Sequence, residues 1–189
     1  IMAMKKNMIH MIVLAIACLF AACQDSSKLV ISDLQCEYLN APLAIDNTTP
    51  HFGWKMTCGQ NGTSSSAYQI LVATELDKLN EEEADLWNSG KVSSDTSLGI
   101  VYGGKALNSR TQAYWKVRVW NQADVPSEWS KPSSFGIGML SENDWSAEAR
   151  FIGVEQADEK SQSAPLLRKS FTYEPSKGKA LLSVNSLGY

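Results

Sequence analysis

Apolar and polar residues alternate in short stretches along most of the chain after residue 28, and turn residues separate the stretches. A period of two is typical of β-strands whose two faces have different surroundings. The clearest case is 112–121, where Trp115, Val117 and Val119 face one way and the residues between them face the other. The pattern predicts strands near 29–38, 51–56, 68–73, 87–92, 98–102, 112–121 and 135–137.

About seven short strands within residues 29–138 predict an all-β fold, a fibronectin type III or immunoglobulin-like β-sandwich. The strand at 68–73 is apolar at most positions, so we expect it to be covered on both faces. Residues 74–85 interrupt the alternation and are predicted to form one or two helical turns, with the acidic run 81–83 in solvent. The predicted core consists of Phe52, Trp54, Tyr68, Ile70, Val72, Trp115, Val117 and Val119.

The pattern changes after Gly138, and residues 139–164 are predicted to be a linker that Trp145 anchors on the sandwich. Two more strand-like runs follow at 166–173 and 179–184. Two strands do not form a stable unit alone, so residues 165–189 are predicted to be the truncated start of a second β domain. The chain also begins with Ile1 and ends within a strand-like run, which predicts a piece of a longer protein.

The N-terminal segment has the features of an export signal. Lys5 and Lys6 precede an apolar run of about a dozen residues that ends at Ala22, and polar residues follow Cys23. The run is shorter than the roughly 20 residues of a membrane-spanning helix. Because its end resembles a bacterial lipobox, we expect residues 1–22 to be a lipoprotein signal peptide, Cys23 to be the lipidation site and 23–28 to be a tether. The alternative is an ordinary signal peptide with an incidental cysteine.

A lipid on Cys23 implies an exported protein that is anchored in a membrane, because two or more acyl chains hold a protein stably in a bilayer. Gln24 follows the cysteine, whereas inner-membrane lipoproteins have an aspartate there. This resemblance implies an outer-membrane lipoprotein, on either the periplasmic or the surface face. The membrane is therefore the first partner that the sequence predicts.

Charge and cysteine content limit the other partners. Beyond the signal peptide the chain has 15 basic and 20 acidic residues, a net charge of −5. An acidic domain lacks the basic surface of a nucleic-acid-binding protein, so no nucleic acid is expected. Cys36 and Cys58 are predicted to lie on consecutive strands at offset positions. We therefore expect two buried thiols, with a disulfide as the alternative.

A set of cationic and aromatic residues lies on the predicted outer face near the end of the sandwich. Residues 115–121 and 127–130 resemble the sixth and seventh strands of a fibronectin type III module. In such modules cations on one strand alternate with a tryptophan from the next, and each exposed pair contributes about 0.5–1 kcal/mol. We expect this ladder from Lys116, Arg118, Trp120 and Trp129. The alternative is that Trp120 and Trp129 form a platform on which a sugar stacks.

The sequence has no set of residues that would catalyse a reaction. It lacks a glycine-rich phosphate loop, a nucleophile elbow and histidines at metal-ligand spacing. His10 lies in the signal peptide, and His51, alone at the start of a strand, is expected to be structural. We predict no catalytic, cofactor-binding or metal-binding residue and no cofactor in this chain.

A series of phrases, in order, resembles the N-terminal region of bacterial α-L-rhamnosidases. They are CEYLNAPLAID at 36–46, PHFGW at 50–54, AYQILVA at 67–73, LWNSGKV at 86–92, YWKVRVW at 114–120, SEWS at 127–130, DWSA at 144–147, PLLRKSF at 165–171 and LGY at 187–189. Single phrases are weak signals, but the ordered set covers nearly all of 29–189. The sequence departs from the family at 149–153, where the tryptophan that usually precedes Ile-Gly is absent.

The resemblance implies a fibronectin type III-like domain followed by a β-jelly-roll, with an (α/α)6 barrel further on. In the family that barrel holds the carboxylates of an inverting glycoside hydrolase that releases terminal L-rhamnose. None of those residues is present, so the implied role of this chain is that of a non-catalytic anchor and scaffold. A rhamnose-containing glycan would bind through the missing domains. The alternative is a surface lipoprotein that binds glycan or protein and has no enzyme activity.

Overall fold

The computed structural model describes residues 28–152, 166–174 and 180–185 of the 189-residue chain. Eight strands lie in these ranges: β1 (Leu29–Cys36), β2 (His51–Cys58), β3 (Ser65–Ala73), β4 (Trp87–Asn88), β5 (Val92–Ser93), β6 (Ile100–Val101), β7 (Gln112–Asn121) and β8 (Ser133–Gly136). The strands form two antiparallel sheets, one ordered β1-β2-β6 and the other β4-β3-β7-β8, with β5 also paired to β3. The predicted all-β sandwich is confirmed.

The first strand alternates only loosely because it contains an irregularity. β1 pairs with β2 from Leu29 opposite Cys58 to Cys36 opposite Phe52, and the register shifts between Ser32 and Gln35. Asp33 lies there with a φ of 49°, in the left-handed region. A bulge that adds a residue moves the following side chains to the other face.

The strands β3 and β7 form the longest ladder of the sandwich, from Ser65 opposite Asn121 to Ala73 opposite Tyr114. Trp115, Val117 and Val119 are fully buried, as the alternation predicts. In β3 both faces are covered, because Ile70 and Val72 belong to the main core while Leu71 and Ala73 pack in a second cluster with Leu79. The two-sided burial expected for this strand is confirmed.

An aromatic cluster forms the centre of the main core. Phe52 is 1% exposed, and its ring centroid lies 4.4 Å from that of Trp115 and 5.6 Å from that of Phe135. The rings of Tyr102 and Trp87 are each 6.3 Å away. Rings at such separations gain about 0.5–1.5 kcal/mol per pair beyond the burial of their surface. Phe52 therefore joins residues from both sheets.

The one or two helical turns predicted at 74–85 are present as single turns, because the Leu79 N–H donates to the Leu76 carbonyl at 3.1 Å and the Ala84 N–H donates to the Asn80 carbonyl at 3.1 Å, while no longer helix forms. The Asn80 side-chain oxygen accepts hydrogen bonds from the backbone N–H groups of Glu82 and Glu83. This is the pattern of a helix N-cap, in which the side chain satisfies the free N–H groups of the first turn. The Asp85 carboxylate accepts hydrogen bonds from the backbone N–H and the hydroxyl of Thr74. The segment therefore folds back over the apolar cluster that contains Leu79.

The strand predicted at 98–102 is shorter in the structure. Only Ile100 and Val101 pair, with Phe52 and His51 of β2, and Leu98 is 57% exposed. Gly99 has a φ of +72°, a conformation outside the strand region. Regular strand geometry therefore starts only after this glycine. Ile100 and Tyr102 enter the core, whereas Leu98, which precedes the glycine, does not.

Residues 139–146 lie against the sandwich and contain a short 3₁₀-helix, Glu142–Asp144. The Asp144 carboxylate accepts hydrogen bonds from the Ser109 hydroxyl at 2.5 Å and from the Ser141 backbone N–H at 2.8 Å. The Arg110 guanidinium donates to the Asp144 backbone oxygen at 2.5 Å. The predicted anchor residue, Trp145, is only partly buried, so the polar contacts of Asp144 hold this segment.

A second unit comprises residues 147–189. The strands predicted at 166–173 and 179–184 are not formed in its described parts, 166–174 and 180–185, which have no regular secondary structure. An isolated pair of strands is marginal in water, which accounts for this difference. Among the described residues, no helix is long and apolar enough to cross a membrane.

Candidate functional site

A column of cations and indole rings lies on the outer face of the five-stranded sheet. Its order is Lys91, Trp120, Arg118, Trp129 and Lys116, and we call it the cation–aromatic column. The Trp120 ring centroid lies 4.9 Å from Lys91 Nζ and 4.9 Å from Arg118 Cζ. The Trp129 centroid lies 4.6 Å from Arg118 Cζ and 4.8 Å from Lys116 Nζ. The predicted ladder is confirmed, and Lys91, which no local pattern indicates, extends it.

The cations of the column lie over the indole rings on which a sugar would have to stack. Each indole has two cations within 5 Å of its centroid, and Trp120 is 8% exposed. A sugar that stacks on an aromatic ring needs one open face of that ring. The geometry therefore favours the structural ladder over the sugar platform at Trp120 and Trp129.

Polar partners hold the central cation of the column in place. The Arg118 guanidinium donates to the Gln69 side-chain oxygen from Nε at 3.1 Å and from Nη2 at 2.7 Å, and it pairs with the Glu81 carboxylate at 2.6 Å. Gln69 lies directly opposite Arg118 on β3, so the sheet itself sets this contact. A planar guanidinium that stacks on aromatic rings and also donates hydrogen bonds is held in a single side-chain conformation.

The segment that carries Trp129 binds the edge of β7 through two serines. The Val119 N–H donates to the Ser127 hydroxyl at 3.1 Å, and the Ser127 N–H donates to the Val119 carbonyl at 2.7 Å. Ser130 makes the same pair of bonds with Val117. The serines thus satisfy backbone groups on an edge that is otherwise open to another strand. The two serines three positions apart in SEWS are the sequence feature that corresponds to these bonds.

We expect Arg118→Ala to lower the free energy of unfolding by about 1–2 kcal/mol, because two cation–π contacts are lost. Lys91→Ala removes one contact at the end of the column, and we expect a loss of about 0.5 kcal/mol. Urea unfolding of both variants provides the measurement. Equal losses in the two variants would show that Arg118 has no central role.

A second polar cluster lies at the end of the sandwich where β1 passes to β2. One carboxylate oxygen of Glu37 accepts hydrogen bonds from the His51 backbone N–H at 2.7 Å, from His51 Nδ1 at 2.9 Å and from Asn47 Nδ2 at 3.0 Å. Glu37 and Tyr38 have φ values of 51° and 61°, so two non-glycine residues form this turn in the left-handed region. The hydrogen bonds of Glu37 stabilise a turn that its residue types disfavour.

This cluster borders an open depression of about 380 Å³ that Leu39, Ala44 and Gly138 also line. Partial burial acts to raise the pKa of the Glu37 carboxyl, but the hydrogen bonds from His51 and Asn47 outweigh it and lower that pKa below its ordinary value. His51, predicted to be structural, thus serves as a hydrogen-bond donor. An ionised carboxylate whose one oxygen accepts three hydrogen bonds in a turn is not arranged as a general acid.

The lowered pKa of Glu37 predicts a loss of stability in acid. Its contribution is complete above the pKa of an unfolded glutamate, about 4.3, and is lost as the pH falls through the lower value of the folded state. We expect Glu37→Gln to flatten the decline of the unfolding free energy below about pH 4.5. Urea titrations between pH 3 and pH 7 test this, and an unchanged slope would exclude Glu37 as a source of the decline.

The two cysteines of the sandwich are free thiols. Cys36 pairs with Phe52 at one end of the β1–β2 ladder, whereas Cys58 pairs with Leu29 at the other. Seven residues of strand separate the two positions, roughly 23 Å, and a disulfide needs Cα atoms within about 7 Å. The expectation of two free thiols is confirmed, but only Cys36 is buried, whereas Cys58 is partly exposed. Burial raises the pKa of the Cys36 thiol to about 12, which keeps it protonated. Cys23 lies outside the described residues.

The described residues show no arrangement for catalysis. Within 28–152, 166–174 and 180–185 no group of three histidine, cysteine or acidic side chains is placed to hold a metal ion. Several acidic side chains of residues 75–85 bind cationic or polar side chains, as Glu75 does with Lys78 and Asp85 with Thr74. The geometry of this part of the chain is that of a rigid β-sandwich with structural polar clusters.

Comparison with known proteins agrees with this geometry. Residues 31–141 match the family described as Rha78A-like, N-terminal immunoglobulin domain. The chain belongs to this family. The matched range contains all eight strands except the start of β1, together with the cation–aromatic column, so the Rha78A-like immunoglobulin domain is the described sandwich. The resemblance noted in the sequence is confirmed.

Relatives of this Rha78A-like domain are N-terminal regions of α-L-rhamnosidases. An α-L-rhamnosidase of Formosa agariphila is 42% identical over 155 residues, which cover 80% of this chain and 16% of that protein. The crystal structure of Streptomyces avermitilis α-L-rhamnosidase complexed with L-rhamnose superposes with a TM-score of 0.60 at 38% identity, covering 62% of this chain and 11% of that one. The enzyme from Dictyoglumus thermophilum gives 0.58 at 35% identity, covering 61% and 13%.

The chain thus spans about one sixth of the length of the Formosa relative. The shared part is the immunoglobulin-like sandwich, in which the described residues show no catalytic arrangement. The relatives are several times longer than this chain, and the name α-L-rhamnosidase refers to each of them as a whole protein.

Proposed function

We propose that this chain is the non-catalytic N-terminal part of an exported, lipid-anchored α-L-rhamnosidase. The observation that carries the proposal is the family match over residues 31–141, together with a 42% identical rhamnosidase of which the alignment covers only 16%. The parent enzyme would be an inverting glycoside hydrolase that releases terminal L-rhamnose from a glycan. Its acid and base, and the contacts to that glycan, would lie outside this chain.

In this proposal the sandwich is a spacer and scaffold between a membrane anchor and the catalytic part. The cation–aromatic column, the Ser127 and Ser130 bonds to β7 and the Glu37 cluster all stabilise the sandwich itself. Such contacts suit a rigid module that keeps its shape while another domain binds the substrate. No cofactor or metal takes part in this role.

The reading frame beyond residue 189 distinguishes the proposal from a surface lipoprotein that only binds glycan or protein. We expect the gene to continue for several hundred residues and to encode a helical barrel with paired acidic residues. A purified chain comprising residues 24–189 should then leave an aryl α-L-rhamnoside intact under conditions in which a complete α-L-rhamnosidase cleaves it. Enzyme-dependent turnover by residues 24–189 would contradict the assignment of the chemistry to the missing part.

The proposed anchor is Cys23, and we expect Cys23→Ser to abolish fatty-acid labelling and to release the protein from membranes. The reason is that the thiol of the cysteine after the signal peptide is the group that is acylated in lipoproteins. Labelling with a clickable palmitate analogue, followed by membrane fractionation, measures both effects. Cys18→Ser is the matched control within the same apolar segment and should leave labelling intact, and labelling that persists in Cys23→Ser would exclude this anchor.

A further inference from the structure

The first described residues emerge at one end of the sandwich. Leu29, 7% exposed, is fixed opposite Cys58 at the end of β2, and the Lys28 ammonium lies 3.6 Å from the Glu128 carboxylate. The loop between β2 and β3 lies at the same end, because the Gln122 side chain, which follows β7, donates to Gly62 and Ser64 of that loop. We call this end, with residues 59–64 and 122–126, the tether end.

The opposite end carries other features. Cys36 pairs with Phe52 there, and the turn at Glu37 and Tyr38 follows. The Leu43 carbonyl accepts a hydrogen bond from Gln112 at the start of β7, and Asp144 binds Ser109, three residues before that strand. We call this end, with residues 37–46 and 138–146, the far end. The described part of the first unit therefore begins at one end of the sandwich and finishes at the other.

Two lengths set the possible positions of these ends. The six Cα–Cα steps from Cys23 to Leu29 span at most about 21 Å when fully extended. The 10 residues of β7 extend about 30 Å between the two ends. If the far end contacted the bilayer, Leu29 would lie about 30 Å away from it, beyond the reach of a tether fixed by lipid on Cys23.

We propose that the tether end faces the lipid headgroups and that the far end points away from the membrane. This inference rests on the proposed lipidation of Cys23. The partner is a phospholipid surface, and the surface that meets it consists of the loops at 59–64 and 122–126. The module then holds Ser146, at the end of the first unit, about 30 Å further from the membrane than Leu29.

A depth measurement on the lipidated full chain tests this orientation. An azide-bearing phenylalanine analogue is placed at Asn61 in one variant and at Leu43 in another, and a fluorophore is attached to it. Both positions are exposed, and Leu43 has 69% of its surface in solvent. The proteins are reconstituted in phosphatidylethanolamine–phosphatidylglycerol vesicles that contain a lipid with a nitroxide in its headgroup. We expect quenching at position 61 to exceed that at position 43 several-fold.

The outcomes separate this inference from the proposal on which it depends. Flotation with the vesicles reports lipidation, and a chain that does not float contradicts the anchor at Cys23 and the orientation with it. A chain that floats but is quenched equally at both positions, as when the sandwich lies flat, contradicts the orientation alone. Stronger quenching at position 43 does the same. The Cys23→Ser chain, bearing either label, is the control for quenching without an anchor.

Discussion

Replacement of Phe52 by alanine is expected to lower the free energy of unfolding by about 3–5 kcal/mol. The side chain is 1% exposed, and its ring contacts the rings of Trp115, Phe135, Tyr102 and Trp87. The change removes a large buried apolar group and leaves a cavity among aromatic side chains, which cannot fill it without shifting both sheets. Such a loss is a large fraction of the stability of a single domain.

Val30→Ala on β1 is the matched control, because Val30 is 59% exposed and its replacement removes apolar surface from solvent contact without leaving a cavity in the core. We expect its effect to stay within about 0.5 kcal/mol. Chemical denaturation monitored by tryptophan fluorescence measures both variants. A loss below about 1 kcal/mol for Phe52→Ala would show that the aromatic cluster is not the centre of the core.

A single methyl group at Gly104 is expected to cost about 2–3 kcal/mol, because the site has no space for it. A Cβ there would lie 2.5 Å from the Tyr102 hydroxyl and 2.6 Å from Trp87 Cβ, and it would also clash with the Leu86 carbonyl oxygen. That oxygen accepts a hydrogen bond from the Lys105 N–H at 2.9 Å. The Tyr102 hydroxyl donates to the Lys105 carbonyl at 2.8 Å, so the displacement would strain two hydrogen bonds at once.

The neighbouring glycine is a close control. A Cβ at Gly103 would meet its nearest atom, in the Trp87 ring, at 3.4 Å, which is ordinary contact. We expect Gly103→Ala to change the free energy of unfolding by less than about 0.5 kcal/mol. Thermal unfolding of the two variants side by side measures the difference. Similar melting temperatures would show that the loop at Gly104 moves freely enough to accept a side chain.

The alternation in β2, β3 and β7 was predictable because a period of two records which face of a strand is buried. Phe52, Trp54 and Val117 are each at most 5% exposed, as that pattern indicates. The cation–aromatic column followed from the same alternation, since the outer residues of β7 are Lys116, Arg118 and Trp120. The ordered phrases identified the family for a similar local reason, because each phrase is a short run of neighbouring residues.

Other features depended on contacts between distant parts of the chain. Lys91 joins the column although 29 positions in sequence separate it from Trp120, and no local pattern indicates this. The helical turns expected at 74–85 are single turns, and no local pattern indicates the bond from the Thr74 N–H to the Asp85 carboxylate, 11 residues away, that folds the segment back. The pattern at 98–102 likewise could not show that Gly99 separates Leu98 from the strand that follows it.

The sequence by itself determined the sandwich, its core faces, the cation–aromatic column apart from Lys91 and the family, because these follow from the alternation of residues within single strands and from their order along the chain. Only the tertiary structure decided how Glu37 engages His51 and Asn47, how Asp144 binds Ser109 and where a glycine is indispensable. Each of these depends on distances between groups that lie 10 to 35 residues apart or in separate loops. Such distances arise when the two sheets pack together and are not encoded in any local period.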